Sequence, residues 1–431
     1  MKVSAAAMGS VLLIMSAING FADAPKYAPV PAQLVQQRDG LGNVLAKLDA
    51  GEEVRIAYFG GSITAAAGWR VKTLEWFQQT WPDAKVSEIN AAIGGTGSSL
   101  GVFRFKQDVL DHDPDLVFVE FAVNDGGASP ENIWRSMEGV VRQIWSADST
   151  IDICYVYTFR VGYEEDLNEG MCPQAASADE MLAAHYGIPS INVALPVAEM
   201  ERAGKLIFKP EVGEDGKPLP APEGVMIFSH EGVHPFDAGH ELYTQIIADA
   251  ITGMREGAVA GAHELKEAFV ADNWEATKIV PLAPWMLSDG WTKLDHEEGL
   301  GQRFARQMPN MWEATEPGET ISFSFQGTVA KLYDLLGPDG ANAIVTLDDD
   351  EPHVTPRFDH YCSYHRIANL NIASGLEDTE HTVTVEISAE QPDRTSVLDR
   401  VKDDANFNPA TYDGTAMRVA GVMIIGEIIE P

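Results

Sequence analysis

The stretch Val54-Arg-Ile-Ala-Tyr-Phe-Gly-Gly-Ser-Ile-Thr64 decides how the rest of the chain is read. An apolar run of strand length meets two glycines, then a serine, then residues that open a helix. A serine at the carboxyl end of a strand, on a turn too tight for side chains, presents its hydroxyl for attack. Ser62 is therefore either a nucleophile or a plain Gly-Ser turn residue. Thr64 stands where a Gly-x-Ser-x-Gly elbow carries its second glycine, which argues against the α/β-hydrolase turn.

Outward from this turn the pattern alternates. Strands are predicted over 54–59, 85–90, 116–121, 151–158 and 188–193, and helices over 71–81, 102–110, 130–146, 177–186 and 237–254. A further helix over 34–48, interrupted by Gly-Leu-Gly, precedes the first strand. Leu242, Ile246 and Ala250 mark the packed face of the last helix. Five strands alternating with helices predict a parallel sheet covered on both faces, with ligands outside the carboxyl ends of the strands. A Pro/Gly-rich loop over 208–224 is placed as a flap beside such a site. Beyond residue 257, after a helical stretch ending near Val270, the texture changes to short alternating runs over 320–325, 329–333, 343–347, 382–387 and 419–425. Turns such as Gly337-Pro-Asp-Gly340 separate them, which predicts a jelly-roll-like β-sandwich. The 431 residues thus divide into a signal peptide (1–24), an α/β domain (25–258), a linker (259–275) and a β-sandwich domain (276–431).

Lys2, the apolar or small residues 5–18, and small residues up to Ala22 or Ala24 have the form of an export signal, and an uncleaved anchor helix is the alternative. No later stretch is apolar enough to span a bilayer, so the mature chain is expected to be exported without membrane insertion. A formal charge of −35 repels nucleic acid and anionic lipid and excludes a basic binding stripe. Three cysteines, Cys154, Cys172 and Cys362, make no disulfide framework, although a Cys172–Cys362 bridge is chemically allowed. The acidic run Asp348-Asp-Asp-Glu351 reads as a solvated turn, with a calcium site as its alternative. Nothing in the pattern specifies an oligomeric state.

Ester hydrolysis needs a nucleophile, a base, a group that orients the base, and donors for an oxyanion. His234, in Gly232-Val-His-Pro235, is the candidate base, with His230 and His240 as neighbours and a metal-binding trio as the alternative. Glu231, three residues earlier, either orients that ring or is an ordinary surface glutamate. Asn124, in Ala122-Val-Asn-Asp125, offers a side-chain amide at a strand end, and Gly95 offers an unobstructed backbone N–H. The phosphate-binding Gly-x-x-x-x-Gly-Lys-Ser/Thr pattern is absent.

Serine, glycine, asparagine and histidine in this order resemble the four blocks of the SGNH (GDSL-type) hydrolase superfamily. Gly-Gly-Ser62-Ile-Thr is similar to the first block, with Gly61 where many members have aspartate. Gly95, Val-Asn124-Asp and Glu231-Gly-Val-His234-Pro are similar to the other three. The resemblance covers about residues 50–255. It implies a flavodoxin-like three-layer α/β/α domain and ester hydrolysis without metal or cofactor. Ser62 is then the nucleophile and His234 the base, while Ser62, Gly95 and Asn124 form the oxyanion hole. The family usually has aspartate three residues before the histidine. Glu231 therefore leaves both a Ser-His-Glu triad and a Ser-His dyad open.

Export, the acidic surface and the appended sandwich resemble carbohydrate esterases that remove O-acetyl groups from polysaccharides or oligosaccharides. A lipase or thioesterase, or a carbohydrate-binding or cell-surface protein with an inactive hydrolase domain, are the alternatives. For the binding protein, Trp285, Trp291, Trp312, Tyr333 and Tyr361 would stack on sugars; otherwise they pack in the core. A base that must be neutral predicts activity falling below about pH 6.5, the ordinary histidine value.

Overall fold

The structure is a computed structural model that describes residues 25–213, 217–405 and 407–431, so the predicted signal segment 1–24 lies outside the described residues. Strand β1 (Val35–Gln36) and helix α1 (Gly42–Asp49) precede β2 (Glu53–Gly60). Then come α2 (Ser62–Ala65), α3 (Trp69–Thr80), β3 (Lys85–Asn90), α4 (Ser98–Asp108), β4 (Leu116–Glu120), α5 (Pro130–Ala147) and β5 (Asp152–Tyr157). Helices α6 (Tyr163–Asn168) and α7 (Gln174–Tyr186) lead to β6 (Ser190–Asn192), α8 (Ala194–Arg202), the short parallel pair β7 (Leu206–Ile207) and β8 (Met226–Ile227), and α9 (Asp237–Met254).

Strands β2 to β6 form the predicted parallel sheet, in the order β6-β5-β4-β2-β3. The period of two assigns its faces. Ala57, Phe59, Val117, Val119 and Tyr155 pack under α4, α5 and α7, whereas Ile56, Tyr58, Phe118, Cys154 and Val156 pack under α3 and α9. Both faces are covered, so β4 and β5 are buried along their whole length. Helix α5 begins where Ser129 accepts the Asn132 N–H at 3.4 Å and Pro130 occupies the first turn. In α9 the buried face is Tyr243, Ile247, Ile251 and Met254, and the predicted Leu242 and Ile246 flank it. The strand order reverses at β2, between β3 and β4, and this opens a crevice at the carboxyl ends of β2 and β4.

The predicted helix over 34–48 begins only at Gly42, and residues 35–36 instead form a sixth, antiparallel edge strand on β6. Its cause is long-range. The Arg38 guanidinium donates to the Ile188 carbonyl at 2.6 Å and pairs with Glu180 at 2.5 Å, drawing this segment onto the sheet edge.

No helix forms at 261–270. This segment lies along the α/β domain: His263 contacts Asp152 at 2.8 Å, and the N–H groups of Phe269 and Val270 donate to the buried carboxylate of Glu138 at 2.5 and 2.8 Å. These tertiary acceptors replace the intrahelical ones.

The second domain comprises β9 (Thr277–Pro281), β10 (Thr292–Lys293), α10 (Gly299–Arg303), β11 (Trp312–Ala314), β12 (Thr320–Leu336), β13 (Asn342–Leu347), β14 (His353–Pro356), β15 (Arg366–Ile387), α11 (Thr395–Val401) and β16 (Met417–Ile429). Among the described residues its eight strands make one antiparallel sheet, ordered β10-β11-β16-β12-β15-β13-β14 with β9 on β16. The runs predicted separately at 320–325 and 329–333 are one 17-residue strand with a register shift between Gly327 and Val329. There Gly327 faces Gly426, and a Cβ on either would lie 2.2 or 2.1 Å from a backbone carbonyl oxygen of the other strand. Only paired glycines allow this crossing.

The shift also exchanges the faces. Before it Phe323 and Phe325 point into the domain's own core; after it Leu332 does, while Val329, Tyr333 and Leu335 join Phe103, Trp274, Met308 and Met311 in the core of the α/β domain. The two domains therefore share a hydrophobic core. Between them Lys331 Nζ lies 4.6 Å from the centre of the Trp274 ring, and burial pushes its pKa down to about 8. Cys154, Cys172 and Cys362 are free and buried, so the allowed Cys172–Cys362 bridge does not form.

Candidate active site

Strand β2 ends at Gly60, and Ser62 is the first residue of α2. Gly61 is needed there for space, because a Cβ would lie 1.9 Å from Asn124 Oδ1. Strand β4 leads into the turn that carries Asn124, closed by the Asp125 N–H donating to the Phe121 carbonyl at 2.8 Å. The loop after β3 passes beside both, with Gly95 at φ +74°, in the left-handed region that glycine enters freely.

His234 arrives on the loop before α9. Gly232 anchors that loop: its carbonyl accepts the Val161 N–H at 2.8 Å, its N–H donates to Ser229 Oγ at 2.5 Å, and its φ is +93°. The ring is thereby held with Nε2 2.7 Å from Ser62 Oγ. On the other side Nδ1 is hydrogen-bonded to Glu231 Oε1, which also accepts the His234 backbone N–H at 2.9 Å. With Nδ1 donating to a carboxylate, Nε2 carries a lone pair that can accept the hydrogen bond of the Ser62 hydroxyl. Burial acts to raise the Glu231 pKa, but the hydrogen bonds from the His234 backbone and ring outweigh it and hold the carboxyl below its ordinary value.

The residues singled out from sequence thus meet: Ser62, Gly95, Asn124, Glu231 and His234 line one cavity of about 900 Å³. His230 and His240 do not join them. His230 packs on Phe236, and His240 is buried, accepts the Trp69 N–H at 3.2 Å and is pushed down to about 4 by burial. Among the described residues no His, Cys, Asp and Glu group is arranged to hold a metal ion, at the histidine trio or at Asp348–Glu351. Asp348 instead accepts the Thr382 N–H and pairs with His381, both at 2.8 Å. None of the described residues of the 208–224 loop lines the cavity, so the predicted flap is not part of its wall.

Two features carried no local signal. Beneath Ser62, the buried carboxylate of Glu120 accepts from Thr64 Oγ1 at 2.7 Å and Thr158 Oγ1 at 2.8 Å. Burial pushes its pKa up to about 7 against those bonds. Opposite Ser62, the cavity wall comes from the second domain, including Arg303, Gln307, Tyr361, Tyr364 and Arg366. Of the aromatic residues proposed to stack on sugars, Tyr361 is exposed on this wall, whereas Trp291 and Tyr333 are buried. Trp312 is half-buried, and Trp285 is exposed outside the cavity.

Residues 58–242 match the model of the GDSL-like lipase/acylhydrolase family. Comparison with curated proteins gives no significant match. Among solved structures, a two-domain esterase (CEX) active on acetylated mannans is similar with TM-score 0.69 and 21% identity, over 90% of this chain and 96% of that chain. The CEX esterase co-crystallised with mannopentaose gives TM-score 0.68 and 20% identity, over 91% of this chain and 95% of that one. Identities this low speak for the fold alone, and the likeness spans both domains. Ser62, Gly95, Asn124 and His234 all fall within the matched segment and line one cavity, and the α/β domain of this chain belongs to the SGNH superfamily as a GDSL-like lipase/acylhydrolase, a carboxylic ester hydrolase.

Proposed function

We propose that the protein is a serine esterase that removes O-acetyl groups from an acetylated polysaccharide or oligosaccharide outside the cytoplasm. The observation that carries this reading is the Ser62–His234–Glu231 hydrogen-bond chain in a cavity walled by the second domain. His234 Nε2 takes the Ser62 proton as Oγ attacks the acetyl carbonyl. The N–H groups of Ser62 and Gly95 and the amide of Asn124 hold the oxyanion. The imidazolium, stabilised by Glu231, protonates the departing sugar oxygen and leaves acetyl-Ser62. Water attacks by the same route and releases acetate.

The facing wall supports a saccharide over a fatty-acyl chain. Tyr361 and Tyr364 are about half exposed there and offer ring faces, and Arg303 and Gln307 offer hydrogen-bond donors. The similar CEX protein is itself active on acetylated mannans. Among the described residues no helix is long and apolar enough to cross a membrane, and the signal-like residues 1–24 support export.

The test is acetate release across a panel of acetylated polysaccharides that includes mannan, with p-nitrophenyl acetate as a small probe. Wild type is expected to release acetate, and Ser62→Ala to lose nearly all activity on both. Wild-type turnover in Ser62→Ala would overturn the nucleophile. Activity on the small probe with no acetate released from any glycan would overturn the substrate class.

A further inference from the structure

The two donors proposed to hold the oxyanion, besides Ser62 itself, lie on different loops. Gly95 follows β3 and Asn124 follows β4, and neither loop is in regular structure. Their separation must nevertheless be held closely, because a misplacement of about 1 Å in a catalytic group costs on the order of 10²-fold in rate. The residue after Asn124 links the loops. Asp125 is buried, and its carboxylate accepts the Ser98 N–H at 3.0 Å through Oδ1 and 3.3 Å through Oδ2.

Ser98 is the first residue of α4, whose preceding residue, Gly97, has no side chain with which to cap the helix. Asp125 supplies that missing cap from a distant part of the chain, at the helix end where a carboxylate is favoured. The approach is close: a Cβ on Gly97 would lie 2.2 Å from Asp125 Oδ1. The loop is pinned at its other end as well, where the Ile93 N–H donates to the Gly60 carbonyl at 3.0 Å in the nucleophile turn. Gly95 therefore stands between two anchors, one on the Ser62 turn and one on the residue beside Asn124.

We infer that Asp125 is a positioning residue for the oxyanion site, fixing the Gly95 loop relative to Asn124 through the N-terminus of α4. The inference rests on the esterase reading above. Asp125 touches no substrate. Its loss is expected to lower kcat on p-nitrophenyl acetate while KM changes little, because only the transition state uses both donors.

Four variants test this. Asp125→Ala is expected to lower kcat by about 10–10²-fold with KM within about threefold, and Asp125→Asn, which keeps an acceptor oxygen, to recover most of that loss. Ser98→Pro removes the N–H itself. Proline is accepted at a first helical position, and Gly97 already has the extended backbone that a following proline requires, φ −100° and ψ −177°. Set against Ser98→Ala, so that loss of the 2.6 Å contact between the Ser98 and Ser136 hydroxyls is common to both, Ser98→Pro is expected to be at least about tenfold lower in kcat. All are assayed in the full chain, well below each variant's unfolding temperature. Equal kcat in Ser98→Pro and Ser98→Ala would overturn the proposal even if Asp125→Ala failed to fold. So would a rise in KM with kcat unchanged. Ser62→Ala assayed alongside separates the two ideas: activity retained there removes the esterase site itself, whereas an inactive Ser62→Ala with a fully active Ser98→Pro removes only the role of Asp125.

Discussion

Glu231 and His234 are joined twice, once through the imidazole Nδ1 and once through the His234 backbone N–H, both donating to the same carboxylate oxygen, the second at 2.9 Å. The backbone bond turns the carboxylate back onto its own loop. It absorbs the extra methylene that distinguishes glutamate from aspartate at this spacing. The same bonds hold the Glu231 pKa below its ordinary value, so the group is ionised throughout the neutral range.

Glu231→Gln is therefore expected to lower kcat on p-nitrophenyl acetate by about 10²–10⁴-fold, because the amide no longer stabilises the imidazolium. The measurement is steady-state kinetics at neutral pH. An unchanged rate would mean that Ser62 and His234 act as a dyad.

Gly61 makes room for Asn124. Its backbone, φ −90° and ψ −152°, suits any residue, so the barrier to substitution is the 1.9 Å approach of a Cβ to Asn124 Oδ1. Gly61→Asp, which installs the residue many family members carry, should displace the amide and lower kcat by about 10²-fold or more. Kinetics together with circular dichroism check this, and a folded variant with full activity would show that Asn124 can be relocated freely.

Glu120 couples stability to pH. Burial raises its folded pKa from 4.5 to about 7, so the folded state holds the proton more tightly than the unfolded chain does. Its stabilising contribution is full below about pH 4.5 and disappears as the pH rises through about 7. Thermal unfolding at pH 5 and pH 8 should show a smaller drop in Tm for Glu120→Gln than for wild type. Equal drops would remove Glu120 as a source of that dependence.

Trp274 lies in the core shared by the two domains and stacks under Lys331 Nζ. Trp274→Ala should cost about 3–5 kcal/mol, within a single unfolding transition for both domains. Calorimetry resolving two well-separated transitions in the wild type would contradict a common core.

Local pattern made much of this legible. The alternating strands and helices, the glycines of the Ser62 turn, and the proline at the start of α5 are signals within a few residues of what they determine. Misreadings fell where a distant partner overrides propensity. Residues 35–36 became an edge strand because Arg38 reaches Ile188 and Glu180, and 261–270 stayed extended because Glu138 takes its N–H groups.

By itself, the order of Ser62, Gly95, Asn124 and His234 along the chain pointed to the hydrolase domain and to its candidate reactive groups, since the first three follow strands whose carboxyl ends lie side by side in one parallel sheet and His234 precedes the last helix of that domain. Only the tertiary structure decided the rest. Whether Glu231 turns inward depends on how Gly232 anchors the loop against Val161. That Glu120 and Asp125 support the site depends on burial, which no short window of sequence displays. The far wall of the cavity, with Tyr361 and Arg303, depends on which face of β12 packs against the α/β domain. One extra residue in β12 against β16, beside Gly327, sets that face, because it turns Tyr333 and its neighbours from one side of the sheet to the other.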